Sequence, residues 1–208
     1  MHHPEDTPAR RKRVAWGWDI LTMALLLTAA GLIAALMLPY HPERAAITAR
    51  FGRNLAGGGG FAFNPGQHVL SDAVSPLYVV ILALGANLPL DALRVSGLIG
   101  AVSIGAGAAI LYILALPAGR PAALTAAGVY LLFPLLWLTL GVETPFLLLL
   151  GLLALLFHAR RKGPGAALML GLATLCRPEV GIALGVILIA DALLDGRPFQ
   201  PLAAGVYV

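Results

Sequence analysis

Charge is scarce in this chain. Lys, Arg, Asp and Glu make up 12% of its 208 residues, about half the share usual in soluble domains, so a water-facing globular surface cannot be assembled from it. Cysteine is rarer still: Cys176 stands alone, which excludes an intrachain disulfide framework and any multi-cysteine metal motif. The basic residues are scattered between apolar runs, so the net charge of +4 does not point to a nucleic-acid partner. No apolar run carries a ring or ladder of polar residues, which argues against a channel. What is abundant is apolar: 59% hydrophobic residues and a mean hydropathy of +0.87 define an integral membrane protein.

Crossing a hydrocarbon core about 30 Å thick takes roughly 20 apolar helical residues, because the backbone polar groups must be satisfied internally. Ile20 to Leu38 passes that test, following the basic cluster Arg10, Arg11, Lys12, Arg13 and the pair Trp16 and Trp18, which suits a headgroup belt. A cleaved signal peptide fits less well, because the run is long and no small-x-small site follows at Pro39, Tyr40, His41. Further charge-free runs extend from Val95 to Gly119, Pro121 to Val142, Thr144 to Ala159, Gly163 to Cys176 and Val180 to Ala190. Counting every run as a crossing, Ala73 to Leu90 included, would put Arg160, Arg161 and Lys162 outside, against the cytoplasmic bias of Lys and Arg. Pro76 to Leu90, interrupted by Pro89, is better placed as an interfacial helix on the outer face.

The expectation is therefore an all-α, polytopic transmembrane helical bundle with an outer amphipathic region. It has a cytoplasmic basic tail over 1–19 and one transmembrane domain over 20–208, with an outer loop over 39–93. Spans are expected at about 20–38, 94–116, 121–140, 145–158, 165–176 and 180–194. With the N-terminus cytoplasmic, nine of the fourteen Lys and Arg residues lie inside and five lie outside, namely Arg44, Arg50, Arg53, Arg94 and Arg177.

The one hydrophilic stretch long enough to hold a site runs from Tyr40 to Pro76. Its first part, Pro42 to Ala56, suits a helix, with Pro42 tolerated at its start and Gly57 to Gly60 ending it. At helical spacing Glu43, Arg50 and Asn54 share a stripe, with Arg53 beside them. A carboxylate next to guanidinium groups can pair a base with an anion clamp, because arginine offers planar bidentate donors. A solvated amphipathic face is the plainer alternative. The glycine run lacks a following Lys-Ser or Lys-Thr and a preceding strand, so it is a weak match to a nucleotide loop and better suits a tight turn or close approach to a ligand. Asn64, Pro65, Gly66 is a turn signal, His68 with Asp72 is too small a set for a metal, and Ser71 suits a helix cap.

Glu143 and the triplet Arg177, Pro178, Glu179 fall at span ends; ionisable groups at membrane depth are costly and suggest function, an inference softened here because a span end can reach the interface. His158 beside Arg160 reads as the snorkelling end of a span. Gly97, Gly100, Gly105 and Gly107 read as close helix packing.

In their order these residues resemble a known family. The pattern ITxRFxRNLAxGxGFxFNPGxxVxxxxSPLY from Ile47, then GVETP at Gly141 to Pro145, then GLATLCRPEVG at Gly171 to Gly181 look like polytopic GT-C-type membrane glycosyltransferases. They are closest to bacterial arabinofuranosyl- and mannosyltransferase-like proteins that use polyprenyl-phosphate sugars. The resemblance implies a polyprenyl-phosphate sugar donor, an outer active face on a bacterial-type plasma membrane, and inverting transfer to a hydroxyl of a glycan, lipid or protein acceptor. It places Glu43 at the first position of the family's acidic pair, as base, and puts Arg44 where the second acid is usual. It makes Glu143 the second outer acidic residue and gives Arg50, Arg53 and Arg177 to the donor phosphate. No cofactor is certain, a divalent cation being the candidate. Family members are much longer, so the chain is expected to be an N-terminal piece of one. The competing expectations are a non-catalytic membrane scaffold or transport component, or an inactive truncated homologue.

Overall fold

The computed structural model describes residues 8–40, 42–64, 75–86 and 88–194, with side chains described from Gly17 onward. Among the described residues all regular structure is helical: α1 (Pro8–Met37), α2 (Glu43–Ala56), α3 (Pro76–Gly85), α4 (Ala92–Ala115), α5 (Arg120–Leu131), α6 (Pro134–Leu138), α7 (Thr144–Ala159), α8 (Gly163–Cys176) and α9 (Pro178–Leu194). This is the all-α membrane bundle expected. Among the described residues three helical stretches are long and apolar enough to cross a bilayer: Gly17–Met37, Ala92–Ala118 and Arg120–Leu138. The 16 residues of α7 and 14 of α8 reach about 24 and 21 Å at 1.5 Å per residue, shorter than a full hydrocarbon core.

The stretch expected as one helix over 121–140 is broken. Proline has no N–H to donate and disfavours helical geometry in the residue before it, and Phe133 ahead of Pro134 is indeed extended, at φ −71° and ψ 111°. The break orphans backbone carbonyls in an apolar setting. The Trp137 indole answers one of them, donating to the Leu131 carbonyl at 2.7 Å.

α4 is the hub, packing on α1, α5 and α7 and, near its start, on α2 and α3. Half of its apolar window is buried, against 11% for α1, so α4 lies inside and α1 on the rim. Small residues allow the approach: a Cβ on Gly105 would meet the Ala30 Cβ at 3.1 Å, and one on Gly107 would meet the Tyr130 hydroxyl at 2.5 Å. Leu25, Leu32 and Leu36 of α1, Val129 and Leu132 around α5, and Ile182, Val186 and Leu193 of α9 are exposed. Outward-facing leucine and valine on this scale belong against lipid acyl chains rather than water, and they make this an integral membrane protein.

Two further helices cover one end of the bundle. α2 starts after Pro42, whose φ of −65° is imposed by its ring. Ala45, Thr48, Ala49 and Gly52 recur on one buried face, leaving Glu43, Arg44, Arg50 and Arg53 exposed. That face lies on α3 so closely that a Cβ on Gly52 would stand 2.8 Å from the Leu82 Cβ. The ten residues of α3 span only about 15 Å, in keeping with an interfacial element. Its cap is Ser75, whose hydroxyl accepts from the Tyr78 N–H at 3.3 Å; Ser71, expected as the cap, lies outside the described residues.

Candidate functional site

Two turns meet at the end of the bundle that α2 and α3 cover. The first joins α6 to α7 through Gly141, whose φ of 87° favours glycine. A Cβ there would stand 3.0 Å from the Ala45 Cβ and 3.2 Å from the Ser96 Oγ, so this turn is wedged between α2 and α4. Two residues on, Glu143 opens α7, its carbonyl accepting from the Leu147 N–H at 2.9 Å. The second turn joins α8 to α9 at Arg177. Pro178 keeps the residue before it out of helical geometry, and Arg177 is extended at φ −150° and ψ 103°, which points its side chain off the helix axis.

The two side chains form a buried ion pair. Arg177 donates from Nε at 3.0 Å and from Nη2 at 2.5 Å, both to Glu143 Oε1. Glu143 Oε2 is buried and has no hydrogen-bond partner. A carboxylate only 2% exposed pays heavily for desolvation and is tolerable because the guanidinium lies against it. That one of its oxygens has no donor is the feature a purely structural pair would not need. Around it Tyr78 of α3 donates its hydroxyl to the Ser96 carbonyl at 3.2 Å and stacks obliquely on Phe146, with ring centroids 6.0 Å apart. Burial, and then the Glu143 carboxylate, push the Tyr78 phenol above its ordinary pKa, so it stays a hydrogen-bond donor. Cys176 is buried next to Arg177, packed among Leu147, Leu150 and Ala173.

The remaining expected site residues are placed apart from this pair. Glu43 is exposed on the first turn of α2. The contact of Ala45, two residues later, with Gly141 rests that turn of helix on the loop carrying Glu143. Arg50 donates to Asn64 Oδ1 at 3.0 Å, with its guanidinium 4.3 Å from the Phe63 ring centre. Arg53 lies 3.8 Å from Asp91, with both side chains more than half exposed. Asn54 does not extend an outer stripe: its amide donates at 2.8 Å to both the Ala62 and Phe63 carbonyls and ties the glycine loop down. The cause is local for two of them: Arg50 and Asn54 are held by the loop that follows α2, while Arg53 reaches Asp91 ahead of α4. His68 and Asp72 lie outside the described residues.

Other pairs went unexpected. Asp19 of α1 accepts from the Tyr112 hydroxyl at 2.9 Å and from Arg120 Nε at 3.1 Å. His158 Nε2 lies 2.7 Å from Asp191 Oδ2, so it joins α7 to α9 instead of only ending a span. The available signal was an aspartate inside or flanking an apolar run, which calls for a partner.

Among the described residues no three His, Cys, Asp or Glu side chains are placed to hold a metal ion. Glu143 is the one buried carboxylate among the described residues and is paired with Arg177, so the described side chains do not supply a donor set for a divalent cation. No protein-family model matches the chain, and neither a curated protein nor a solved structure does.

Proposed function

We propose that this protein is a membrane glycosyltransferase of the GT-C kind, moving a sugar from a polyprenyl-phosphate donor to a hydroxyl acceptor at the outer face of a bacterial-type plasma membrane. The observation that supports it best is the meeting of the GVETP and RPE turns, 34 residues apart in sequence, in the buried Glu143–Arg177 pair. Those are two of the three segments that carry the resemblance, and the third supplies the helix above them.

In this reading the acceptor oxygen attacks the sugar's anomeric carbon from the face opposite the phosphate. The acceptor C–O bond forms as the bond to the phosphate oxygen breaks, the acceptor proton passes to Glu43, and polyprenyl phosphate leaves with the bonding electrons. Negative charge grows on the departing phosphate, where a prepositioned guanidinium is most effective, and Arg177 is the arginine held in place for that. Arg50 and Arg53, engaged by Asn64 and Asp91, are left to contacts with the lipid headgroup region. The N-terminus is assigned to the cytoplasm, since Arg10 to Arg13, Arg120 and Arg160 to Lys162 then lie inside.

The test is incubation of membranes carrying the intact protein with a panel of labelled polyprenyl-phosphate sugars. Transfer from one donor, reduced about 100-fold or more in Arg177→Ala, supports the reading. Transfer left undiminished by both Glu43→Gln and Arg177→Ala contradicts it, and no transfer from any donor favours the scaffold. The scaffold draws its support from the local engagement of Arg50 and Arg53.

A further inference from the structure

We propose that the Arg177 guanidinium works with two separate edges: Glu143 permanently fixes the Nε and Nη2 edge, while the Nη1 edge receives a phosphate oxygen in place of Glu179. The lipid carrier of that phosphate rests on the glycosyltransferase reading; the phosphate chemistry does not.

The geometry divides the group in this way. Nε and Nη2 both donate to one oxygen of Glu143. Nη1 faces Glu179 Oε1 at 3.9 Å, an ion-pair distance too long for a hydrogen bond. The two carboxylates differ in what they lose by leaving. The Glu143 side chain is 2% exposed and would be stranded as a buried, unpaired charge. The Glu179 side chain is 67% exposed, and water takes over its solvation when it swings away. The base of the arginine is also fixed, because its N–H donates to the Ala173 carbonyl at 2.8 Å and its own carbonyl accepts from Val180 and Gly181 at 3.2 and 3.1 Å.

Charge then sets the direction of the effect. One guanidinium between two carboxylates carries a formal charge of −1, so a phosphate approaching Nη1 is repelled until Glu179 moves out. Glu143 is thus a positioning residue for Arg177, and Glu179 is a displaceable counter-ion that weakens phosphate binding. A merely structural role for Glu179 at the start of α9 would not produce tighter binding on its removal.

The experiment is titration of the protein in phosphatidylcholine nanodiscs with three probes: a polyprenyl monophosphate, phosphatidylglycerol and inorganic phosphate. Glu179→Gln, and independently Glu179→Ala, are expected to lower the Kd for polyprenyl monophosphate about 2- to 5-fold, the scale of one exposed ion pair. Tightening confined to that probe assigns the seat to a lipid-linked monoester. The same tightening for inorganic phosphate assigns it to the phosphate group alone, and tightening for phosphatidylglycerol assigns it to bilayer headgroups. Unchanged or weaker binding of all three probes in both variants overturns the proposal. If binding tightens but no labelled sugar is ever transferred, the glycosyltransferase reading fails and the phosphate seat stands. If sugar is transferred and the Kd does not move, the seat fails and the reading stands.

Discussion

The two ends of α4 carry ion pairs of opposite character. Near its C-terminal end, Asp19 takes Tyr112 and Arg120 Nε on one oxygen and Arg120 Nη2, at 3.4 Å, on the other. Its side chain is 23% exposed and that of Arg120 is 45% exposed. Near the N-terminal end, the turn beside Ser96 carries Glu143, buried, with both arginine bonds on one oxygen and none on the other. Ser96 and Tyr112 are 16 residues apart on the same helix, about 24 Å along its axis. A carboxylate with both oxygens engaged at a wet boundary staples helices together. A buried carboxylate with an unanswered oxygen costs stability that packing alone would not ask for, and such costs gather where a protein does chemistry.

The sharpest way to break this contrast is to strand the buried charge. Arg177→Leu leaves Glu143 without its cation and is expected to lower stability by about 3–5 kcal/mol, measured as the loss of thermal unfolding midpoint in detergent. Adding Glu143→Met to that variant should restore most of the loss, because a buried pair replaced by apolar side chains is often neutral. Restoration of stability without activity would separate the pair's two roles.

Next in size is Gly141→Ala. It forces a side chain into a left-handed φ and against Ala45 and Ser96, costing about 2 kcal/mol and lifting α2 from the Glu143 turn. Cross-linking between cysteines placed on α2 and on that turn should fall. Tyr78→Phe removes the bond to the Ser96 carbonyl, with an expected loss of about 1 kcal/mol. Because the folded phenol has a raised pKa, the unfolded chain ionises first as pH passes about 10, so stability falls with alkalinity there. Tyr78→Phe should flatten that fall in an unfolding series across pH 9 to 11. Smallest is Asp19→Asn, a partly exposed staple, expected to shift the unfolding midpoint less than Tyr78→Phe does.

How much of this could be read from the chain varies by element. The helices over 20–38, 94–116 and 145–158 follow from runs of apolar residues, and the end of α2 follows from four glycines, two of which, Gly58 and Gly60, have positive φ. That Glu143 and Arg177 stand at the same end of the bundle agrees with counting crossings. Their direct pairing did not, because it depends on the register of the α7–α8 hairpin. The Pro134 break was signalled by the proline itself but hidden within a run long enough to pass as one helix. Asp19 with Arg120 joins residues 101 apart, beyond any local pattern. The outer stripe of Glu43, Arg50 and Asn54 was right in spacing and misleading in meaning: Asn54 and Arg50 are held by the loop that follows them, a contact that helical periodicity does not contain.

The most direct measurement compares the two ends in one assay: labelled sugar transfer from a polyprenyl-phosphate donor in membranes carrying the protein, its Glu143→Gln variant or its Asp19→Asn variant, at matched folded amounts. The account expects transfer to collapse in Glu143→Gln and to persist near the unaltered level in Asp19→Asn. Equal activity in the two variants would contradict it.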